Sequence, residues 1–340
     1  MPGGPLPAPS CSKWGRCVSD FPAIEVKDLK VHFPNRDGGA TRAVDGVSLT
    51  VAQGAFHGII GESGCGKTTL ARAIVGLQKA SEGDIRIMGR DRVEWQKADR
   101  LDFARTVQFV FQDPLGSMSR RQTVHQTLEE PLLIHSLPDR AKRIAELLGL
   151  VSLPDTVLER LPRSLSGGQR QRVSIARALA LKPKILICDE PLSALDVSIR
   201  AQIVNLFMKL REELDLTIVM VAHDLAVVRE ICTSVSVMYL GEVAEEGSTE
   251  GLFAAPAHPY TQALLSAVPS ADPRIEANRR RVLLAGDPPS PSAIPAGCRF
   301  HTRCPVAVAQ CATDRPDLRP VGHRGKARCH LADSTSRVEI

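Results

Sequence analysis

Two stretches near the start of the chain alternate apolar and polar residues: IEVKDLKVHF from Ile24 and AVDGVSLTV from Ala43, with the turn-forming PNRDGG between them. A period of two predicts β-strands. The pattern then changes. FHGII at 56–60 is a short, mostly apolar run, as are VQFVF at 107–111, ILICD at 185–189 and TIVMVA at 217–222. Runs this short and this apolar predict strands buried on both faces. Helical spacing lies between them. Leu70, Ile74 and Leu77 share one face after FHGII, and Ile199, Ile203, Leu206, Leu210 and Leu214 share another. LAVVREI predicts a further helix and SVMYLGEVAEEG a strand, turn and strand. Strands alternating with helices predict a parallel α/β sheet. The stretch 122–162, with AKRIAELLGL as its clearest piece, predicts a helical insertion.

Past Phe253 prolines become frequent, and YTQALLSAV is the one clear helical pattern before a group of cysteines. This part is expected to be an extension and not a continuation of the core. No internal repeat is present. The expected division is a disordered tail over 1–20, a core over 21–253 with its helical part at about 115–165, and an extension over 254–340.

Composition narrows the function. Of 340 residues, 43% are hydrophobic and 24% charged, and the net charge is only +5, which makes no case for nucleic acid. No apolar run reaches the length of a membrane span. The start, MPGGPLPAPSCSKWGRC, lacks the apolar centre of a signal peptide, so a cytoplasmic chain is expected. In that compartment the nine cysteines are expected to stay reduced. Cys298, Cys304, Cys311 and Cys329 crowd together, with five, six and seventeen residues between successive members. Their spacing matches neither zinc knuckles nor the bacterial ferredoxin run, so a metal site is one reading among several. His301, His323 and His330 are nearby substitutes, expected to be surface residues.

The chemistry is densest in three places. GESGCGKT at 61–68 fits a phosphate-binding loop. Gly61, Gly64 and Gly66 let the backbone turn its N–H groups toward phosphate, and the following helix adds its dipole. Lys67 is placed to reach the β- and γ-phosphates and Thr68 to ligate Mg²⁺, with Glu62, Ser63, Cys65 and Thr69 completing the ATP-binding set. ILICDE delivers Asp189 and Glu190 to a strand end, the first suited to the Mg²⁺ shell and the second to polarising the attacking water. Gln112 and His223 close two other strands. LSGGQ at 165–169 is a second anion-binding helix start, capped by Ser166 and opened by Gly167 and Gly168. The loop already occupies one side of a nucleotide, and the simplest use for the second start is the γ-phosphate of an ATP held by another subunit, so ATP sandwiched in a head-to-tail dimer is expected.

Taken in order, GESGCGKT, FQDP, LSGGQ, ILICDE, SALD and the histidine after TIVMVA resemble the ABC ATPase family over about residues 21–250. The resemblance implies a P-loop NTPase fold of class α/β, with an antiparallel β subdomain. It implies that Gln112 joins Thr68 and Asp189 at Mg²⁺, and that Glu190, His223 and Gln112 serve hydrolysis. It further implies that Ser166, Gly167, Gly168, Gln169 and Asp196 meet the partner's ATP, and that an aromatic ahead of the loop, here Phe33, stacks on adenine. FQDPLGSM, HDLAVVRE, HPYTQALLSAVP and GCRFHTRCPVAVAQC resemble the ATPase subunits of oligopeptide/dipeptide permeases, a group that includes nickel importers. That resemblance implies several partners: a second ATPase subunit, expected to be a paralogue in a heterodimer, two transmembrane permease subunits, and an external solute-binding protein. It places the chain peripherally on the cytoplasmic side of the membrane, and it implies a [4Fe–4S] cluster on the four cysteines, with zinc as the alternative. A soluble ABC ATPase of DNA repair would carry a long coiled coil between loop and signature, and one of translation would carry two cassettes. This chain has neither.

Overall fold

A computed structural model describes residues 21–35, 38–193, 195–268, 282, 284, 286–322 and 325–333. The expected tail over 1–20, with Cys11 and Cys17, and His323 lie outside them.

The first two strands, β1 (Ile24–Pro34) and β2 (Ala40–Val51), pair antiparallel. They share a four-stranded sheet with β4 (Glu82–Ile87) and β5 (Arg90–Asp91), in the order β2-β1-β4-β5. The main sheet holds β3 (Phe56–Ile60), β6 (Val107–Val110), β7 (Ile185–Asp189), β8 (Thr217–Ala222), β9 (Ser234–Tyr239), β10 (Glu242–Ser248), β11 (Arg319–Pro320) and β12 (Lys326–Ala327). Its order is β11-β12-β10-β9-β3-β8-β7-β6. The stretch from β9 to β6 is parallel, and the strands on the other side of β9 are antiparallel.

Both faces of the parallel part are covered, which explains the mostly apolar runs. On one face Ile59, Ile185, Ile187, Val219 and Val221 pack with β1, β2 and helix α1 (Lys67–Ile74). On the other, Ile60, Leu186, Cys188, Ile218 and Met220 share a core with helices that follow β6. α2 (Arg92–Ala98) and α3 (Arg100–Thr106) are short and capped by Asp91 and Asp99. α4 (Val124–Ile134) and α5 (Arg140–Leu150) pack on α6 (Gly167–Leu179), and α6 packs on α7 (Val197–Leu214). α8 (Leu225–Ile231), α9 (Thr249–Ala254), α10 (Pro259–Ser266) and α11 (Ala309–Thr313) follow.

Three expectations change. The 122–162 stretch is not continuously helical. Its turns carry Pro138, Pro154 and Pro162, and only α4, α5 and two single 3₁₀ turns form. α1 ends at Ile74, and Gly76 adopts a left-handed φ of 79°, so Leu77 leaves the helical face and is exposed. The extension, lastly, does continue the core. β12 pairs with β10 through Glu245–Ala327 and Glu246–Lys326, and β11 adds one more strand. The edge of β10 would otherwise present unpaired N–H and C=O groups. The start of the extension is tied down as well, since the Glu245 carboxylate accepts the N–H groups of Ala257 and His258 at 2.7 and 2.9 Å.

Candidate active site

β3 delivers the chain to residue 61 at the end of the parallel strands. Gly61 and Gly66 have φ of 150° and 106°, and a Cβ on either would collide with backbone, at Met238 O and Ala43 O respectively. Glycine is needed there for close approach as well as for φ. Gly64 has φ 77° with open space around it, and it stands exposed with Ser63 at the tip of the loop. Gly66 is the N-cap of α1 and offers no side chain, so the first N–H groups of α1 stay available to an anion. Lys67 is buried, and its ammonium donates to Gly61 O at 2.9 Å and Glu62 O at 2.8 Å. Cys65 is buried behind the loop, where desolvation pushes its thiol up. Thr69 is half-buried in the first turn.

β7 carries the acids to the same end. Thr68 Oγ1 donates to Asp189 Oδ1 at 2.8 Å. Asp189 is fully buried, and its Oδ2 has no hydrogen-bond partner among the described residues. Burial raises its pKa, while the Thr68 hydrogen bond pulls the other way. An orphaned carboxylate oxygen beside a threonine hydroxyl fits the water shell of a magnesium ion that is otherwise held by nucleotide phosphates. Glu190 follows at a left-handed φ of 44°. Gln112 Nε2 donates to Glu190 Oε2 at 3.1 Å, and His223 Nδ1 lies 3.5 Å from the same oxygen. Three strand ends thus converge on one carboxylate. The imidazole of His223 is 56% exposed, so this cluster opens outward.

LSGGQ sits elsewhere. Ser166 caps α6 by accepting the Gln169 N–H at 3.2 Å, and Gln169 Oε1 accepts the Ser166 N–H at 3.0 Å, a reciprocal capping box. Gly167 has room around it, but a Cβ on Gly168 would meet Ile199 Cγ2 at 2.7 Å. α7 thus packs closely against the Cα of Gly168, while Gly167 has open space on its Cβ side. α6 and α1 lie on opposite faces of the main sheet. Asp196 is exposed at the start of α7, beside Val197, which is 79% exposed. Phe33 is 37% exposed near the end of β1, paired with Thr41, two residues from the Ala43 carbonyl that touches Gly66.

The cysteines gather in one knot of the extension. Cys298 N–H donates to Cys311 O at 2.9 Å, and Cys329 Sγ accepts the Leu331 N–H at 3.3 Å. Burial pushes the Cys298 thiol up to about 12 and Cys304 to about 11, and in both cases Cys311 and Cys329 add to the shift. The expected [4Fe–4S] or zinc ligand set is nevertheless not formed by these side chains. Among the described residues no three His, Cys, Asp or Glu stand as a metal-holding group. His301 and His330 are engaged with the Cys298 and Asp314 carbonyls. Sequence reasoning passed over two residues that do reach the ATP loop, Tyr260 and Arg303. The only signal for them was their place in HPYT and FHTRC.

A family model described as ABC transporter matches residues 44–193, and one described as oligopeptide/dipeptide transporter, C-terminal region, matches 244–311. The oligopeptide transport ATP-binding protein OppF of Salmonella typhimurium is 45% identical over 307 residues, covering 87% of this chain and 92% of that protein. The oligopeptide transport ATP-binding protein AppF of Bacillus subtilis is 44% identical over 318 residues, covering 91% and 97%. Among solved structures, cbiO1 of Clostridium perfringens, part of the ABC transporter complex cbiONQ, superposes with a TM-score of 0.62 at 29% identity, over 69% of this chain and 92% of that one. A dimeric post-hydrolysis state of the ATP-binding cassette MJ0796, bound to ADP and Pi, gives 0.61 at 31% identity, over 66% and 98%. The loop, the acids and the cysteine-bearing extension thus belong to one lineage, and this chain is a member of the ABC transporter ATP-binding family, in the branch that carries the oligopeptide/dipeptide transporter C-terminal region.

Proposed function

We propose that this chain is the ATP-hydrolysing motor of an importer for oligopeptides or dipeptides. The observation that carries the reading is the convergence at one sheet edge of Thr68 with Asp189, and of Gln112 and His223 on Glu190. In this reading Lys67 and the N–H groups of the loop hold the β- and γ-phosphates, Phe33 stacks on adenine, and Thr68, Asp189 and Gln112 complete the Mg²⁺ shell. Glu190 then orients the attacking water, and His223 holds the γ-phosphate side. The placement of α1 and α6 on opposite faces of the sheet supports two cassettes head to tail, with Ser166, Gly167, Gly168, Gln169 and Asp196 of one closing on the nucleotide of the other. A paralogous subunit is the proposed partner.

Among the described residues no helix is long and apolar enough to cross a membrane. The similarity to oligopeptide transport ATP-binding proteins supports separate membrane subunits for the transported solute, with this chain docked peripherally on their cytoplasmic side. A groove lined by Leu101, Phe109, Ile134 and Arg177 suits that contact, because Leu101 and Ile134 are 50% and 60% exposed there. ATP turnover of the chain with its two membrane subunits is expected to rise when a peptide-loaded solute-binding protein is added. Turnover that ignores peptide but follows nickel or another solute would overturn the peptide assignment.

The four thiols are the finer point. Their mutual proximity, with Cys311 and Cys329 acting on both Cys298 and Cys304, supports a thiolate-ligated cluster, although the side chains stand short of a ligand set and no step of the hydrolysis runs through one. Anaerobically purified protein is expected to contain iron and to absorb broadly in the visible. A chain free of iron and zinc would remove both metals from the reading.

A further inference from the structure

Every polar group of Glu62 is engaged, and two of the three engagements come from the extension. Arg303 Nη1 donates to Glu62 Oε2 at 2.7 Å and Nη2 to Oε1 at 3.1 Å, a bidentate pair. The Arg303 side chain is only 7% exposed. The backbone N–H of Glu62 donates to the Tyr260 hydroxyl at 2.8 Å. Its carbonyl accepts from Lys67 Nζ, the group placed to meet the phosphates. Behind these contacts stands a rigid support. Phe300 is buried among Tyr239, Tyr260 and His258, with ring centroids 5.3, 5.4 and 5.7 Å away. Arg299 bridges Asp45 on β2 and Glu242 on β10 at 2.5 and 3.2 Å. The segment between Cys298 and Cys304 therefore supplies Arg299, Phe300 and Arg303 in one short stretch against the loop.

We propose that Arg303 and Tyr260 are positioning residues of the ATP site, which fix Glu62 and thereby set the affinity of the loop for the nucleoside triphosphate. The reason is electrostatic. A carboxylate inside a loop that cradles a polyanion opposes binding, and in a partly desolvated setting the opposition is strong. Arg303 cancels that charge and holds it to one side. Tyr260 holds the N–H of the Gly61–Glu62 peptide, so that the opposite end of the same peptide plane, the Gly61 carbonyl, faces Lys67. The proposal rests on the ATPase reading above, and failure of that reading is separable: the unsubstituted complex would then show no ATP turnover at all.

The test is the ATP dependence of turnover in the complete complex. Arg303→Gln is expected to raise the KM for ATP about fivefold to tenfold with kcat within about twofold, because the lost term is charge compensation and not chemistry. Adding Glu62→Gln is expected to bring KM back to within about twofold of the parent, since the carboxylate that needed compensation has gone. Arg303→Lys is expected to fall between, because an ammonium keeps the charge and loses the fork. Tyr260→Phe removes a single hydroxyl and carries the second contact independently, with an expected rise in KM of about twofold to fivefold. A merely structural clamp would lower thermal stability, leave KM for ATP alone and gain nothing from the second substitution. An unchanged KM in Arg303→Gln, or a raised KM that Glu62→Gln does not restore, overturns the proposal. If Arg303→Gln fails to fold, Arg303→Lys and Tyr260→Phe decide the matter, and an unchanged KM in both overturns it.

Discussion

Glu190→Gln is expected to slow ATP hydrolysis by a factor of about 100 or more, roughly 2.7 kcal/mol of barrier, while ATP still binds. The substitution keeps the size and shape of the side chain. Gln112 Nε2 can still donate to the remaining amide oxygen at the position it now occupies, 3.1 Å away. What disappears is the negative charge that polarises water next to the γ-phosphate. Because the N–H groups at the start of α1, Lys67 and the Thr68–Asp189 pair are untouched, nucleotide affinity is set by groups that the substitution does not reach. Single-turnover hydrolysis and equilibrium binding of ATP, measured on the same preparation, separate the two quantities. Normal turnover in Glu190→Gln would move the water-orienting role elsewhere, with His223 the next group on the same oxygen.

Lys67→Ala is expected to act on the other side of that division. Its ammonium is buried and already donates to Gly61 O and Glu62 O, so it is held beneath the loop before any ligand arrives. With ATP present the same charge faces the β- and γ-phosphates. Charge-assisted hydrogen bonds are each worth about 1.5–3 kcal/mol, so a loss of about 100-fold in ATP affinity is expected. Lys67→Arg should not rescue it, because a planar fork needs space that a side chain buried under Gly61 and Glu62 does not have. Titration calorimetry with ATP and Mg²⁺ reads the change directly. Affinity within about threefold of the parent would show that the N–H groups of the loop hold the triphosphate by themselves.

Much of the frame could be read from local pattern because β3, β7 and β8 are apolar on both faces and the acids stand directly at their ends. The region from Glu82 to Thr106 could not. α2 and α3 are seven residues each, too short to establish a helical period, and their real signals are the single capping residues Asp91 and Asp99. Gly168 carries a packing constraint beside its expected role in the signature. The source of that constraint is Ile199, a contact thirty-one positions away that no local rule supplies. Arg303 and Glu62 are separated by 241 positions, and their pairing depends on the path of the extension back across the sheet. The same path explains why the proline-rich part looked like an appendage. Its strands β11 and β12 hold two residues each and carry no alternation to detect.

The pairing of β12 with β10 means that the cassette cannot be cut free of its extension without cost. A cassette that ended at β10 would need a solvent-ready border there, with charged or kinked residues guarding it. Here the border strand reads EVAEEGS, with its first four residues buried. Removing the extension would not leave a self-sufficient cassette behind. It would uncover a sticky rim beside Glu242 and Glu245, whose partners Arg299, Arg315 and the N–H groups at 257–258 would go with the deletion. A chain shortened after β10 is therefore expected to aggregate before it ever meets ATP.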